Sequence, residues 1–381
     1  MIRRILKRLF PARLLKDAFL IYNKLKILTI DKILFREYTI RPDQFHVYRQ
    51  GYPFRECAIS LDDLPEDEGK NYMLSWFDWT QEEFILSLNV PLWIEPEHGW
   101  GIVAPNKLVY YSLGVSRTWF LTKPSILAFM RRRSSVHLPH LISLRDTGEE
   151  NYFHFFNDVL SKIFFLKKEG LLADRIPVVI SQKLWKKPYF QFYLNHSNFL
   201  KSLNWFVQSN EYIACEKAVF CKPLTNRKDL WNLMLSSFDF KADLTNDRRI
   251  FLTRSKSRLR FVENTDEIES ICRQQGLDIV DADKLTPEQQ VELFSKTSMI
   301  VGLHGAGMTN MIFSGPGCKI LEIFAPPSQG YLPYHYIMLA KTSGFTYRMV
   351  MGDRGRGRFS GGFHLDGKLF LEALKELYGQ K

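Results

Sequence analysis

Two short apolar runs, Ser298-Met299-Ile300-Val301-Gly302-Leu303 and Cys318-Lys319-Ile320-Leu321-Glu322-Ile323-Phe324, flank the loop His304-Gly305-Ala306-Gly307-Met308-Thr309-Asn310. Runs of this length, bounded by glycine and proline, read as buried strands. Met308 to Phe313 reads as the first turns of a short helix, which Gly315-Pro316-Gly317 stops. Strand, glycine loop, helix start and strand is an α/β arrangement, and it is also the geometry that holds a phosphate. Glycines let the backbone approach an anion, while free N–H groups and roughly half a positive charge of helix dipole face it. Two glycines at a strand-to-helix turn also occur for steric reasons, so the loop alone admits either a phosphate cradle or a tight structural turn.

A second segment narrows the choice. Arg248 to Arg260 opens as a strand and ends in a dense basic loop containing Arg254, Lys256, Arg258 and Arg260. Asn264 or Thr265 can cap the following helix, Asp266 to Gln275, with Gly276 at its stop. A strand ending in a basic loop, beside one ending in a glycine loop, converges on one crevice at the carboxyl edge of a parallel sheet. From Arg248 onward the pattern is regular β-α-β-α-β, which places a domain boundary near residue 240.

The chain has 381 residues, 45% of them apolar and 14% aromatic, enough for two domains with separate cores. We expect a basic amphipathic segment over 1–40, an acceptor-side domain over 41–240 and a donor domain over 241–381 with a closing C-terminal helix that packs back across the boundary. Cys57, Cys215, Cys221, Cys272 and Cys318 are scattered, without disulfide or zinc spacing, as in a reducing compartment. No run approaches the ~18 uninterrupted apolar residues of a membrane span, and the first apolar stretch is too interrupted by Lys and Arg for a cleavable leader. The net charge is +11, and residues 1–26 hold eight Lys or Arg against one acid, Asp17. Such a segment suits an anionic membrane surface, at about 1 kcal/mol per basic residue, or packs as a solvated helix on the protein. Its aromatics are not interleaved with the basic residues as a nucleic-acid platform requires.

Residues 40–145 read as β-rich, and 151–168 as strongly helical. In Asn151-Tyr152-Phe153-His154-Phe155-Phe156-Asn157-Asp158, His154 and Asp158 are four apart and share one helical face. A carboxylate beside an imidazole can serve as general base; either residue could also be an ordinary helix residue, but a His and an Asp among four aromatics need a reason to be there.

These blocks together resemble glycosyltransferase family 61. The resemblance rests on Asn151 to Asp158, on Ile250 to Asn264, and above all on Val301 to Asn310 with Leu321-Glu322-Ile323, and it covers roughly 135–350. It implies a GT-B-like enzyme, two Rossmann-type domains facing a central cleft, transferring sugar with inversion from a nucleotide donor, UDP-linked, without metal or other cofactor. It assigns Asp158, with His154, to deprotonating the acceptor. It assigns the donor to Arg254, Arg258, Arg260 and Asn264, and to the loop residues His304, Gly305, Ala306, Gly307, Thr309 and Asn310. Glu322 could accept hydrogen bonds from ribose hydroxyls or be a structural partner for a nearby Lys. The absence of a leader further implies a bacterial-type enzyme, peripheral on the inner face of the cytoplasmic membrane, building capsule or lipopolysaccharide on a glycan or lipid-linked saccharide acceptor.

Other motifs carry less. Asp281-Ala282-Asp283 is a DxD tripeptide, the manganese signature of another glycosyltransferase architecture, but it is short and sits inside the regular β-α-β run. No GxSxG elbow exists, which excludes the common esterase reading, and Asn310 stands where a dinucleotide fingerprint needs its third glycine. Gly352 to Gly362 is a basic glycine-rich loop that reads as a linker or as a flap over phosphate. The competing class is a non-catalytic sugar-nucleotide or polysaccharide-binding assembly subunit that keeps the fold without turnover.

Overall fold

A computed structural model describes residues 34–61, 64, 73–74, 76–113, 124, 129–130, 136–172, 175–240, 247–254, 260–326, 332–354 and 362–379. The basic segment 1–26, Arg258 and most of the 352–362 loop therefore lie outside the described residues. Among those described, no helix is long and apolar enough to cross a membrane. The chain divides into two units, the first built from residues 34–51, Gln81–Thr225 and Asp229–Asp239. The second takes Tyr52–Thr80, Asn226–Lys228 and the chain from Phe240 onward. The segment 52–80, read from sequence as part of the N-terminal domain, thus belongs to the second unit.

The first unit is centred on a six-stranded sheet in the order Trp205–Gln208, Val178–Ser181, His140–Ser143, Lys217–Lys222, Gln81–Leu88, Phe45–Gly51. The first four strands are parallel and the last two antiparallel. Numbered along the chain, the parallel strands run 3-2-1-4, the half-sheet order of a dinucleotide-binding fold. A smaller six-stranded sheet covers one face, joining Leu92, Ile94, Val109 and Ile213 to Phe84, Leu86, Leu141 and Phe220 in one core. Strand residues alternate between faces, so Cys221 points the other way, where its Sγ meets the Lys162 carbonyl of the helix at 152–168. That helix begins regularly, with Asn151 Oδ1 accepting from Phe153 N. Over Phe155–Leu160 it widens into a π segment, then returns to α geometry at Ser161–Lys168. Ser161 ties off the wide turn, its N–H and Oγ both donating to Phe156 O. The aromatic stretch read as one helix over 183–203 is three short ones, Gln182–Trp185, Pro188–Asn195 and Asn198–Ser202.

The second unit has a five-stranded, fully parallel sheet in the order Asp278–Val280, Arg248–Leu252, Thr297–Leu303, Lys319–Phe324, Thr346–Met351. Along the chain this is 2-1-3-4-5, the other common doubly wound order. Phe251, Met299, Val301, Leu321, Ile323 and Val350 alternate onto one face, where helices Thr265–Gln274 and Gly367–Tyr378 close over them through Ile268, Cys272, Phe370 and Leu374. The C-terminal helix therefore packs on this unit's own sheet. Its apolar stripe (Phe370, Leu374, Leu377) matches that face, and Tyr378 Oη donates to Gln275 O at 3.0 Å. Pro287–Ser295, N-capped by Thr286 with Gln289 in a capping box, leads into the glycine-loop strand.

Candidate active site

In open α/β sheets, ligands bind outside the carboxyl ends of the strands where strand order reverses. In the first unit that place lies between strands 140–143 and 217–222, and the loop leaving the former carries Asp146 and enters the helix of His154 and Asp158. Gly148, at φ +87°, makes the bend, and a Cβ there would lie 3.5 Å from the His154 ring. His154 Nδ1 meets Asp158 Oδ2 at 2.5 Å, and Asn157 Nδ2 donates to the other oxygen at 2.9 Å. The pair is reachable from solvent, with side chains 39% and 24% exposed.

Its electrostatics are set by neighbours. Burial pushes the Asp158 carboxyl up, but the hydrogen bond from His154 and the charges of His154, Lys162 and Lys222 outweigh this and hold it below its ordinary value. Burial pulls the His154 imidazole down, while the bond to Asp158 and the charges of Asp158 and Asp146 raise it overall. The outcome is a carboxylate that stays ionised at neutral pH with a fixed imidazole partner, the state in which a carboxylate can accept a proton.

In the second unit the switch lies between strands 248–252 and 297–303, which end in Arg254 and in His304-Gly305. Arg254 Nη1 donates to His304 O at 3.2 Å. A Cβ on Gly305 would lie 2.8 Å from that Nη1 and 3.0 Å from Cζ, so only glycine lets the guanidinium lie this close to the loop. Gly305 is extended, with φ 169°, and its role is clearance. The helix expected to begin near Met308 is a 3-10 helix, Ala306–Phe313, tighter than the α-helix behind the dipole argument. The opening N–H groups of a helix have no partner within it, and Ala306 and Gly307 hold those places while remaining partly open to solvent.

Several predicted donor residues prove to build this loop instead. Glu322 is fully buried, with His304 Nδ1 on Oε1 at 2.5 Å and Tyr347 Oη donating to Oε2 at 2.5 Å. Both oxygens are taken, so neither the ribose role nor a lysine partner describes it; it aims the His304 ring, which stacks on Phe324. Asn310 is buried and donates to Gln290 Oε1 and Gly307 O. Thr309 is buried against Tyr336, their hydroxyl oxygens 3.5 Å apart. Asn264 bonds both ways with the Leu365 backbone and makes no side-chain cap. Arg260 is lowered by burial, opposed by the charges of Tyr336 and Glu322, but an arginine stays cationic throughout. Tyr336 is raised by burial, with both Arg254 and Arg260 acting against that. Arg254, Arg260, Tyr336 and Glu322 thus share one electrostatic environment beside the glycine loop.

Asp281 of the DxD tripeptide caps the 3-10 turn Ala282–Lys284, its side chain accepting from Asp283 N at 3.2 Å. Among the described residues, the one cluster of three metal-type ligands is Glu95, Glu97 and His98, where both Glu95 oxygens already hold the N–H groups of Glu97, His98 and Gly99. The five thiols are free and buried; burial lifts Cys57 to about 11 and Cys221 to about 12, which removes them as nucleophiles at neutral pH. Sequence reasoning missed Asp146, Lys162, Tyr336 and Tyr347. Lys162 had a readable signal, a lone cation within Val159 to Leu166 and four residues after Asp158.

A carboxylate–imidazole pair thus stands at the switch point of one doubly wound sheet, and an arginine lies on a glycine loop at that of the other. Residues 152–321 match the family model described as Glycosyltransferase 61. That stretch, which takes in His154, Asp158, Arg254 and the His304–Asn310 loop, is similar to glycosyltransferase family 61. Comparison with curated proteins gave no match.

Proposed function

We propose that the protein is an inverting glycosyltransferase of the GT-B type that works without a metal, moving a sugar from a UDP-linked donor to a glycan or lipid-linked saccharide. The observation that carries this reading is the His154–Asp158 pair, fixed at 2.5 Å and open to solvent at a sheet switch point. Asp158 takes the acceptor hydroxyl proton as that oxygen bonds to the sugar C1, and the bond from C1 to the diphosphate breaks with its electrons leaving on the diphosphate. A single displacement of this kind inverts C1. His154 holds the carboxylate in orientation and takes up part of its charge. In the second unit, Arg254, Arg260 and the N–H groups of Ala306 and Gly307 offer the positive field that a departing diphosphate needs. That field supports a metal-independent reaction.

Two doubly wound units support the GT-B reading. The basic segment 1–26 supports peripheral attachment to an anionic membrane on its cytoplasmic side, and assembly of surface polysaccharide (capsule or lipopolysaccharide) follows from the family resemblance. The test is a thermal-shift screen of the purified chain against UDP and UDP-sugars, with and without EDTA. Ligand at about 100 times its Kd stabilises by about 2.7 kcal/mol, and the shift should persist in EDTA. A shift abolished by EDTA and restored by manganese would sink metal independence; no shift with any nucleotide sugar would sink the donor assignment.

A further inference from the structure

Behind the dyad lies a second pair of charges that the proposed reaction does not touch. Asp146, on the loop after strand 140–143, and Lys162, four residues along the helix from Asp158, have side chains each 2% exposed and meet at 2.7 Å. Lys162 Nζ also donates to Arg145 O at 3.3 Å. Asp146 Oδ1, by contrast, is buried with no hydrogen-bond partner. Ile163, Phe164 and Phe165, next along the helix, are fully buried.

A buried ion pair with a half-satisfied carboxylate is a poor way to hold a fold together. Apolar side chains of similar volume commonly do as well or better, and this helix is already apolar on both sides of Lys162. Position supplies the reason the core does not. Lys162 shares the helix with Asp158, Asp146 precedes its first turn, and charges in a low-dielectric interior act on one another with little screening.

We propose that the buried Asp146–Lys162 pair is a positioning pair for the His154–Asp158 dyad, setting the charge the two residues share and fixing the helix face that presents them. The inference deepens the reading of Asp158 as the base and rests on that reading for its catalytic meaning. Asp146 favours a proton on His154 and on Asp158; Lys162 favours its removal from Asp158. Lys222 and the Cys221 thiol, both from strand 217–222, act on Asp158 and on Lys162 respectively. Burial lifts Asp146 against the pull of Lys162, and the 2.7 Å ion pair sets their charges against one another beside the dyad. Removing one member leaves the other uncompensated, and the two removals act in opposite senses.

The test is an NMR titration of the histidine rings in the full chain, whose nine histidines are reduced to one assignment by comparison with His154→Gln. In Asp146→Asn the His154 midpoint should fall by about one pH unit, the size of a single uncompensated charge acting at close range. In Lys162→Met the acid-side inflection of the same resonance, which reports Asp158, should rise by about as much. Lys162→Arg keeps the charge and should restore the wild-type curve. If Lys162→Met does not fold, Asp146→Asn and Lys162→Arg decide the matter. A His154 curve unmoved by Asp146→Asn would overturn the proposal, as would a curve shifted as far by Lys162→Arg as by Asp146→Asn. Failure of the base assignment reads out separately, as undiminished sugar transfer by Asp158→Asn.

Discussion

The strand ends at Ser143 and Lys222 in one unit, and at Leu252 and Leu303 in the other, mark equivalent places: each sheet's order reverses there. What stands at the two places is opposite in kind. The first holds carboxylates, Asp146 and Asp158, paired with the Lys162 ammonium and the His154 imidazole. The second holds Arg254 against bare backbone, with its carboxylate, Glu322, turned inward to fix His304. A doubly wound sheet thus supplies a location, and the loops decide which groups stand there. The first site depends on side chains facing side chains, so charge controls it. The second depends on a guanidinium reaching a main chain, so clearance controls it.

The sharpest way to break this division is Asp158→Asn. Transfer should fall by about 10²- to 10⁴-fold while the Kd for UDP, read by calorimetry, stays within about twofold; a parallel loss of UDP affinity would show that the two sites are not separable. Arg254→Ala should do the reverse, weakening UDP by about 10- to 100-fold as a charge-assisted contact of about 1.5–3 kcal/mol is lost. Gly305→Ala should reproduce a smaller part of that loss, about tenfold, because its Cβ displaces the same guanidinium; unchanged binding would remove clearance from the account. Tyr347→Phe leaves a buried Glu322 oxygen unsatisfied and should cost about 1–3 kcal/mol in denaturant unfolding of the second unit.

The smallest effect concerns pH. A raised His154 pKa contributes stability present below 6.5 and lost as pH rises through the higher folded value. A lowered Asp158 pKa contributes stability present above 3.8 and lost as pH falls through the lower folded value. Their bond therefore stabilises most between those limits, by no more than about 1 kcal/mol for a pair this open to solvent. The unfolding free energies of wild type and Asp158→Asn should differ most near pH 5.5 and converge toward pH 9; a gap that widens with pH would reverse the sign assigned here.

Much of the second unit was legible because its information is local. The runs around the glycine loop are bracketed by glycine and proline, and their odd residues do alternate onto one core face. Helix 265–274 is readable for the same reason, its apolar spacing matching its buried stripe. Glu322 was misread because its partner, Tyr347, lies 25 residues on and reaches it only through the pairing of strands 319–324 and 346–351. Likewise nothing within residues 52–80 announces that Trp76 Nε1 will donate to Leu332 O at 2.8 Å, or that Phe54 and Trp76 will pack on Tyr334. In the first unit, the spacing of His154 and Asp158 placed them on one face, but the π segment between them has no sequence signature. Local pattern fixes which side chains share a face, and long-range pairing decides what meets them.

That wide turn has one more consequence. Passing from α to π geometry accommodates one residue beyond the regular helical count, and each residue of an α-helix turns the next by about 100°. Deleting a single residue within Phe155–Leu160 would let the helix close to its ordinary pitch with Lys162 still near its present bearing toward Asp146, because the wide turn had already absorbed that residue. The segment works as a take-up: one residue can be lost there without turning the rest of the helix, and the spacing of His154 and Asp158 changes only when that residue lies between them.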